Sequence, residues 1–139
     1  MINIVVITHG GFADGLMSSL AMVAGDAECV TTFSLHEGDN PDTFRENVKN
    51  AIDELNAQPE SDGTLVMVDL LGGTPSNCLA RILGEESAEK VRCIAGLNFP
   101  MLVEAVFNRN SSDLAALEEQ CMETAKQGIV SLSQMLSLS

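Results

Sequence analysis

"INIVVITHGG", residues 2 to 11, decides the fold. A near-continuous run of Ile and Val is what a strand covered on both faces requires, and two glycines directly after it let the chain turn sharply. Between the strand and the turn stands His9, one of only two histidines in the chain. Working outward, the same alternation of apolar run, turn and amphipathic stretch repeats along the sequence. Residues 13–24 set Leu16, Leu20 and Val23 on one helical face before Gly25, and "CVTTFS" (29–34) reads as a second strand. After the turn "EGDNP", Phe44, Val48, Ile52 and Leu55 mark a helix over 42–56. "TLVMVD" (64–69) is a third strand, followed by "LLGGTPSN" and a helix to about Leu83. "VRCIAG" (91–96) is the fourth strand, and a helix opens at Pro100. Leu114, Leu117, Cys121 and Ala125 stripe a last helix over 112–127. "GIVSL" (128–132) reads as a short final strand, and 133–139 as a frayed or docking tail.

Successive strand–helix units predict a doubly wound α/β fold: a mostly parallel sheet in the order 2-1-3-4, with helices on both faces. No repeat or linker interrupts it, so residues 1–139 are expected to form one domain. In such sheets ligands bind beyond the carboxyl ends of the strands where the strand order reverses, here between strands 1 and 3. His9 follows strand 1 and Asp69 ends strand 3, so the two should meet there. "GGTPSN" then supplies two glycines, Thr74 as an expected N-cap and Pro75 as an expected first helical residue. Gly72, Gly73, Thr74 and Ser76 are the expected phosphoryl-binding residues, because a helix start offers free N–H groups and a favourable dipole to an anion.

Composition narrows the chemistry. The formal charge of −13 would repel nucleic acid, and any phosphoryl group must be held by main-chain donors against that field. No apolar stretch reaches the ~20 residues of a spanning helix, and no signal peptide is evident, which predicts a cytoplasmic protein. The four cysteines are scattered singly and read as small apolar core residues. A histidine, a carboxylate and a helix start together suggest a histidine that carries a phosphoryl group: Asp69 accepts the Nδ1 proton and leaves Nε2 as nucleophile. A metal site of His9, His36 and Asp69 is the other arrangement these residues allow, but no supporting pattern accompanies it. His36 reads as a solvated loop residue. No metal or other cofactor is expected.

"THG" after strand 1, "VDLLGGTPSN" after strand 3 and "GLNFPMLVEA" after strand 4 together resemble the enzyme IIA component of the mannose/fructose/sorbose-type bacterial phosphoenolpyruvate:sugar phosphotransferase system. The likeness runs over nearly the whole chain, with the motifs in the family's order. It implies that His9 is phosphorylated on Nε2 by the phosphocarrier HPr, and passes the phosphoryl to a histidine of a sugar-specific enzyme IIB serving the membrane IIC and IID components. It further implies that Asp69 orients His9 and that Thr74 lies near the phosphoryl. A homodimer exchanging an antiparallel C-terminal strand, "GIVSL" here, is also implied. The chain ends where some members continue into a fused IIB domain, so a stand-alone subunit is expected. Leu70 departs from the hydroxyl residue of some relatives and receives no phosphate contact. Two other readings stay open: the phosphocarrier subunit of a dihydroxyacetone kinase, against which "GGTP" and "NFPMLVE" speak, and a non-catalytic module regulated by phosphorylation.

Overall fold

The sheet is built around β1 (Asn3–His9) and β3 (Thr64–Val68), which lie side by side and are buried along almost their whole length in this computed structural model. Residues 1–25 and 28–137 are described by the structure. β2 (Val30–Leu35) pairs with the outer side of β1 and β4 (Val91–Ala95) with the outer side of β3, all parallel, in the order β2-β1-β3-β4. The expected strand order is therefore the one found.

Side-chain alternation divides the interior into two layers. Ile4 and Val6 of β1 with Leu65 and Met67 of β3 face α1 (Phe12–Ala24), α4 (Phe99–Asn108) and α5 (Leu114–Gln127). Val5, Ile7, Val66 and Val68 face α2 (Pro41–Asn56) and α3 (Thr74–Glu85). A strand with helices on both sides is apolar along most of its length, which is why "INIVVI" and "TLVMV" show no polar alternation, with Asn3, Thr8 and Thr64 confined to the strand ends. The helical stripes follow: Phe44, Val48 and Ile52 of α2 are buried, as are Leu114, Leu117, Cys121 and Ala125 of α5.

Three details depart from the sequence reading. Val23 is exposed at the last turn of α1, whose buried residues are Ala13, Leu16 and Leu20. Gly73, not Thr74, caps α3, so Thr74 and Pro75 are its first two residues; either place suits a proline, since the first-turn N–H groups have no intrahelical acceptor. Residues 128–132 form no strand. Gly128 N–H still donates to Thr124 O at 2.9 Å and Ile129 N–H to Lys126 O at 3.3 Å, and Ser131 Oγ then accepts from Gln134 N–H at 3.2 Å to start the short helix α6 (Leu132–Met135). With no second strand beside the segment, local capping decides its shape. Leu138 and Ser139, the end of the expected tail, lie outside the described residues.

The start of α1 is fixed from inside the sheet. Its N-cap, Gly11, has no side chain to offer; instead the fully buried Thr8 Oγ1, from β1, accepts from Ala13 N–H at 2.8 Å. This bond ties the glycine turn after His9 to the strand before it. Thr8→Val keeps the shape and leaves that buried N–H without a partner, so it should cost about 1–3 kcal/mol, read as a lower urea midpoint with an unchanged slope.

Candidate active site

β1 outruns its neighbour: Ile7 pairs with Val68, the last residue of β3, so the main chain of His9 has passed the end of the β1–β3 ladder. Asp69 fills the gap. Its Oδ2 accepts from the His9 main-chain N–H at 2.9 Å, across sixty residues of sequence. The same carboxylate meets the ring, with Nδ1 3.0 Å from Oδ2 and 3.2 Å from Oδ1. A carboxylate only accepts, so Nδ1 carries the proton, and Nε2 of the neutral ring keeps its lone pair. The His9 side chain is 45% exposed and that of Asp69 only 11%, so the base of the pair is largely covered and its other end open. Burial by itself pushes the Asp69 carboxyl up, but the hydrogen bonds from the His9 main chain and ring, with the attraction of that ring, outweigh it and hold the carboxyl below its ordinary value.

The other edge of the ring rests on the β3–α3 loop. An atom in the Cβ position of Gly73 would lie 2.8 Å from His9 Cε1 and 3.1 Å from Nε2. Gly73 is also the N-cap of α3, with no side-chain cap present, and the first helical bond runs from Asn77 N–H to Gly73 O at 3.0 Å. Among the described residues, no hydrogen bond takes up the N–H groups of Gly73, Thr74 or Ser76. Unused donors at a helix start thus sit on the stretch of chain against which the Nε2 edge lies. Gly72 holds φ at +88°, a conformation that favours glycine, and an added Cβ there would meet nothing within 4 Å.

His36 stays apart. It is exposed in the loop after β2, where its main-chain N–H donates to Asp39 Oδ2 at 2.8 Å. Among the described residues, no three His, Cys, Asp or Glu side chains gather as a metal site, so His9, His36 and Asp69 are not a ligand set. Arg81 is exposed and lies 3.9 Å from Asp42, whose carboxylate Arg45 also reaches at 3.3 Å. The thiols of Cys93 and Cys121 are pushed up to about 12 and that of Cys78 to about 11, chiefly by burial, which leaves them as apolar filler. Two features escaped the sequence reading. Thr8 is one, since its signal is only a β-branched residue ending an apolar strand. The other is a set of exposed apolar side chains on the segments that follow His9 and Asp69: Phe12 at the start of α1, and Leu70 and Leu71 in the β3–α3 loop, the last 79% exposed. Unexpected exposure is invisible in a residue type. A cleft of about 840 Å³ lies at the opposite end of the sheet, lined by Gly63, Lys90, Arg92 and Asp113 among others, and includes neither His9 nor Asp69.

Fold and site define a doubly wound protein whose open histidine is held by a carboxylate at the switch point, beside a bare helix start. The sequence profile described as PTS system fructose IIA component matches residues 3–122. The mannose-specific EIIAB component of the phosphotransferase system of Escherichia coli K12 is 33% identical over 135 residues, 94% of this chain but 39% of its own length. This chain therefore spans about two-fifths of that relative. The fructose-specific EIIA component of Bacillus subtilis is 27% identical over 134 residues, covering 91% of this chain and 88% of its own. The crystal structure of the phosphotransferase system component EIIA from Streptococcus agalactiae superposes with a TM-score of 0.86 at 32% identity, over 96% of this chain and 99% of that one. The chain belongs to the mannose-type enzyme IIA family of sugar phosphotransferase systems.

The low Asp69 pKa has a consequence for stability. A carboxylate whose folded value is depressed contributes stability that is complete above its unfolded value and is lost as pH falls through the folded one. Wild-type urea midpoints should therefore drop below about pH 4, and the Asp69→Asn variant should show a shallower drop over the same range.

Proposed function

We propose that this chain is a phosphoryl carrier: His9 Nε2 takes a phosphoryl group from the phosphohistidine of HPr and hands it to a histidine of an enzyme IIB that serves the membrane IIC and IID components, in the cytoplasm. The observation that carries this reading is the two-sided hold on the ring, Asp69 at Nδ1 and the uncapped start of α3 at the Nε2 edge. In the transfer, the P–N bond to the donor ring breaks as the bond to Nε2 forms. The donor leaves as a neutral imidazole, and the proton on Nδ1 of His9 stays where it is. His9 then carries a cationic ring, which the Asp69 carboxylate stabilises. The three equatorial oxygens of the loose transition state need donors more than covalent help, and the N–H groups of Gly73, Thr74 and Ser76 are suited to supply them, with Gly72 giving the loop its turn. Their dipoles act locally and so answer the repulsion of a chain with net charge −13.

A protein donor fits better than a small molecule. The His9 side chain is half-exposed, and exposed Phe12, Leu70 and Leu71, on the segments that follow His9 and Asp69, offer apolar area that a docked partner would cover. The relatives' names assign mannose, fructose and sorbose to those proteins, and the sugar here is a matter for the partner that carries specificity.

A homodimer joined through the C-terminal segment belongs to the same proposal. Among the described residues nothing pairs with the outer edge of β4, and a groove of about 250 Å³ lined by Leu83, Val91, Cys93 and Glu118, with others, runs beside it. Ile129, Val130 and Leu132 are exposed and have the residue types of a strand. Laid antiparallel on β4 of a second copy, they would be covered and the edge closed.

Phosphoenolpyruvate, enzyme I and HPr should together give an acid-labile phosphoryl adduct, read by mass spectrometry. His9→Ala should abolish it. Asp69→Asn should slow it roughly 10²- to 10⁴-fold by upsetting the tautomer, while His36→Ala should leave the rate near wild type. Failure of HPr to load the wild-type chain, or of any enzyme IIB to unload it, would count against the carrier reading. For the dimer, light scattering should give twice the monomer mass for the whole chain and the monomer mass for a chain ending at Gly128.

A further inference from the structure

The two glycines that precede α3 are glycine for different reasons. Gly72 sits at φ +88°, where an L side chain is strained, and its surroundings are empty. Gly73 has φ −81° and ψ 172°, extended backbone that any residue adopts. As an N-cap glycine is acceptable, but Ser, Asn or Asp there would in addition accept from the free N–H groups of the first turn. Nothing in its own backbone asks for glycine, and helix capping is served as well or slightly better by serine, asparagine or aspartate.

What does ask for it is the ring of His9, whose Cε1 and Nε2 would lie 2.8 and 3.1 Å from a Cβ at position 73. We infer that Gly73 is a positioning residue for His9: its bare main chain is the stop against which the Cε1–Nε2 edge rests while Asp69 holds Nδ1 from the other side. The inference rests on the phosphoryl-carrier reading above and deepens it, because the two contacts do different work. The hydrogen bond at Nδ1 settles the tautomer and one anchor of the ring. The contact at position 73 settles the remaining tilt, and with it the direction in which the Nε2 lone pair faces an incoming phosphorus. A methyl group there must displace something. Helix α3 is pinned through buried Cys78, Leu79 and Ile82, whereas the ring is the far end of a half-exposed side chain, so the ring yields. As it swings away, Nδ1 leaves the carboxylate, and both tautomer and aim are lost with the fold intact.

The test pairs Gly73→Ala with Gly73→Ser in the full chain. Both add the obstructing Cβ, but serine also restores a side-chain cap. Gly73→Ala should melt modestly below wild type, because alanine is a poorer N-cap than glycine, and Gly73→Ser above Gly73→Ala, both with one cooperative transition. Initial rates of acid-labile phosphorylation by phosphoenolpyruvate, enzyme I and HPr should fall roughly ten- to a hundredfold in both, with no rescue by serine. Long-range ¹⁵N–¹H spectra of His9 in the unphosphorylated proteins should show protonated Nδ1 and bare Nε2 in wild type, and loss of that pattern in the variants. Wild-type spectra in both variants would overturn the inference whatever the rates, and so would recovery of the rate by serine. Should wild type accept no phosphoryl while the variants still lose the ring pattern, the carrier reading falls and the positioning by Gly73 stands.

Discussion

One carboxylate joins the two halves of the switch point. β3 ends one residue before Asp69, and the side chain of Asp69 takes over where the ladder stops, accepting from the His9 main chain at 2.9 Å and from its ring at 3.0 Å. The first bond continues sheet hydrogen bonding with a side chain in place of a carbonyl. The second converts that structural role into a chemical one, because the group that completes the sheet is also the group that selects a proton position. Losing the carboxylate therefore disturbs both at once, and the same hydrogen bonds, with the attraction of the ring, outweigh burial and hold the Asp69 carboxyl below its ordinary value.

The placement of charge follows the same economy. A chain with twenty acidic and seven basic residues has little cationic side chain to spend on an anion. Main-chain dipoles at a helix start need none, and the proposed phosphoryl site lies where α3 begins; Arg45 and Arg81, which line a pocket with Thr74, pair with Asp42, and Arg92 pairs with Glu118. Interior order is supplied by the aliphatic layers on either side of β1 and β3, so the side chains of the loops at the strand ends can serve the site without endangering the fold.

Much of this was legible in the residues. Short, β-branched, near-continuous apolar runs at 2–7 and 64–68 read as strands covered on both sides, and helical stripes between them leave few arrangements other than a parallel sheet. His9 and Asp69 were legible as a pair because topology brings strand ends 1 and 3 together whatever the intervening sequence. Other features depend on terms that a sequence does not display. Whether Thr74 or Gly73 caps α3 turns on one residue of register. Thr8 looks like any β-branched residue until the glycine turn leaves Ala13 N–H without an acceptor. The 128–132 segment has the composition of a strand, but strand formation needs an edge to lie on, and a single copy brings none to it. Gly73 reads as a turn residue, and only the position of the His9 ring shows that the space beside it is taken.

β4 carries a hazard along with its opportunity. An unpaired strand edge accepts hydrogen bonds from any extended chain, native or misfolded, and is a starting point for aggregation. Arg92, the second residue of β4, donates to Glu118 Oε1 at 2.9 Å and to Ala88 O at 2.9 Å, so fixed charges stand beside the open edge. A stray apolar strand would have to strip water from that pair to add on. The edge is thereby guarded at one end by electrostatics as well as shape.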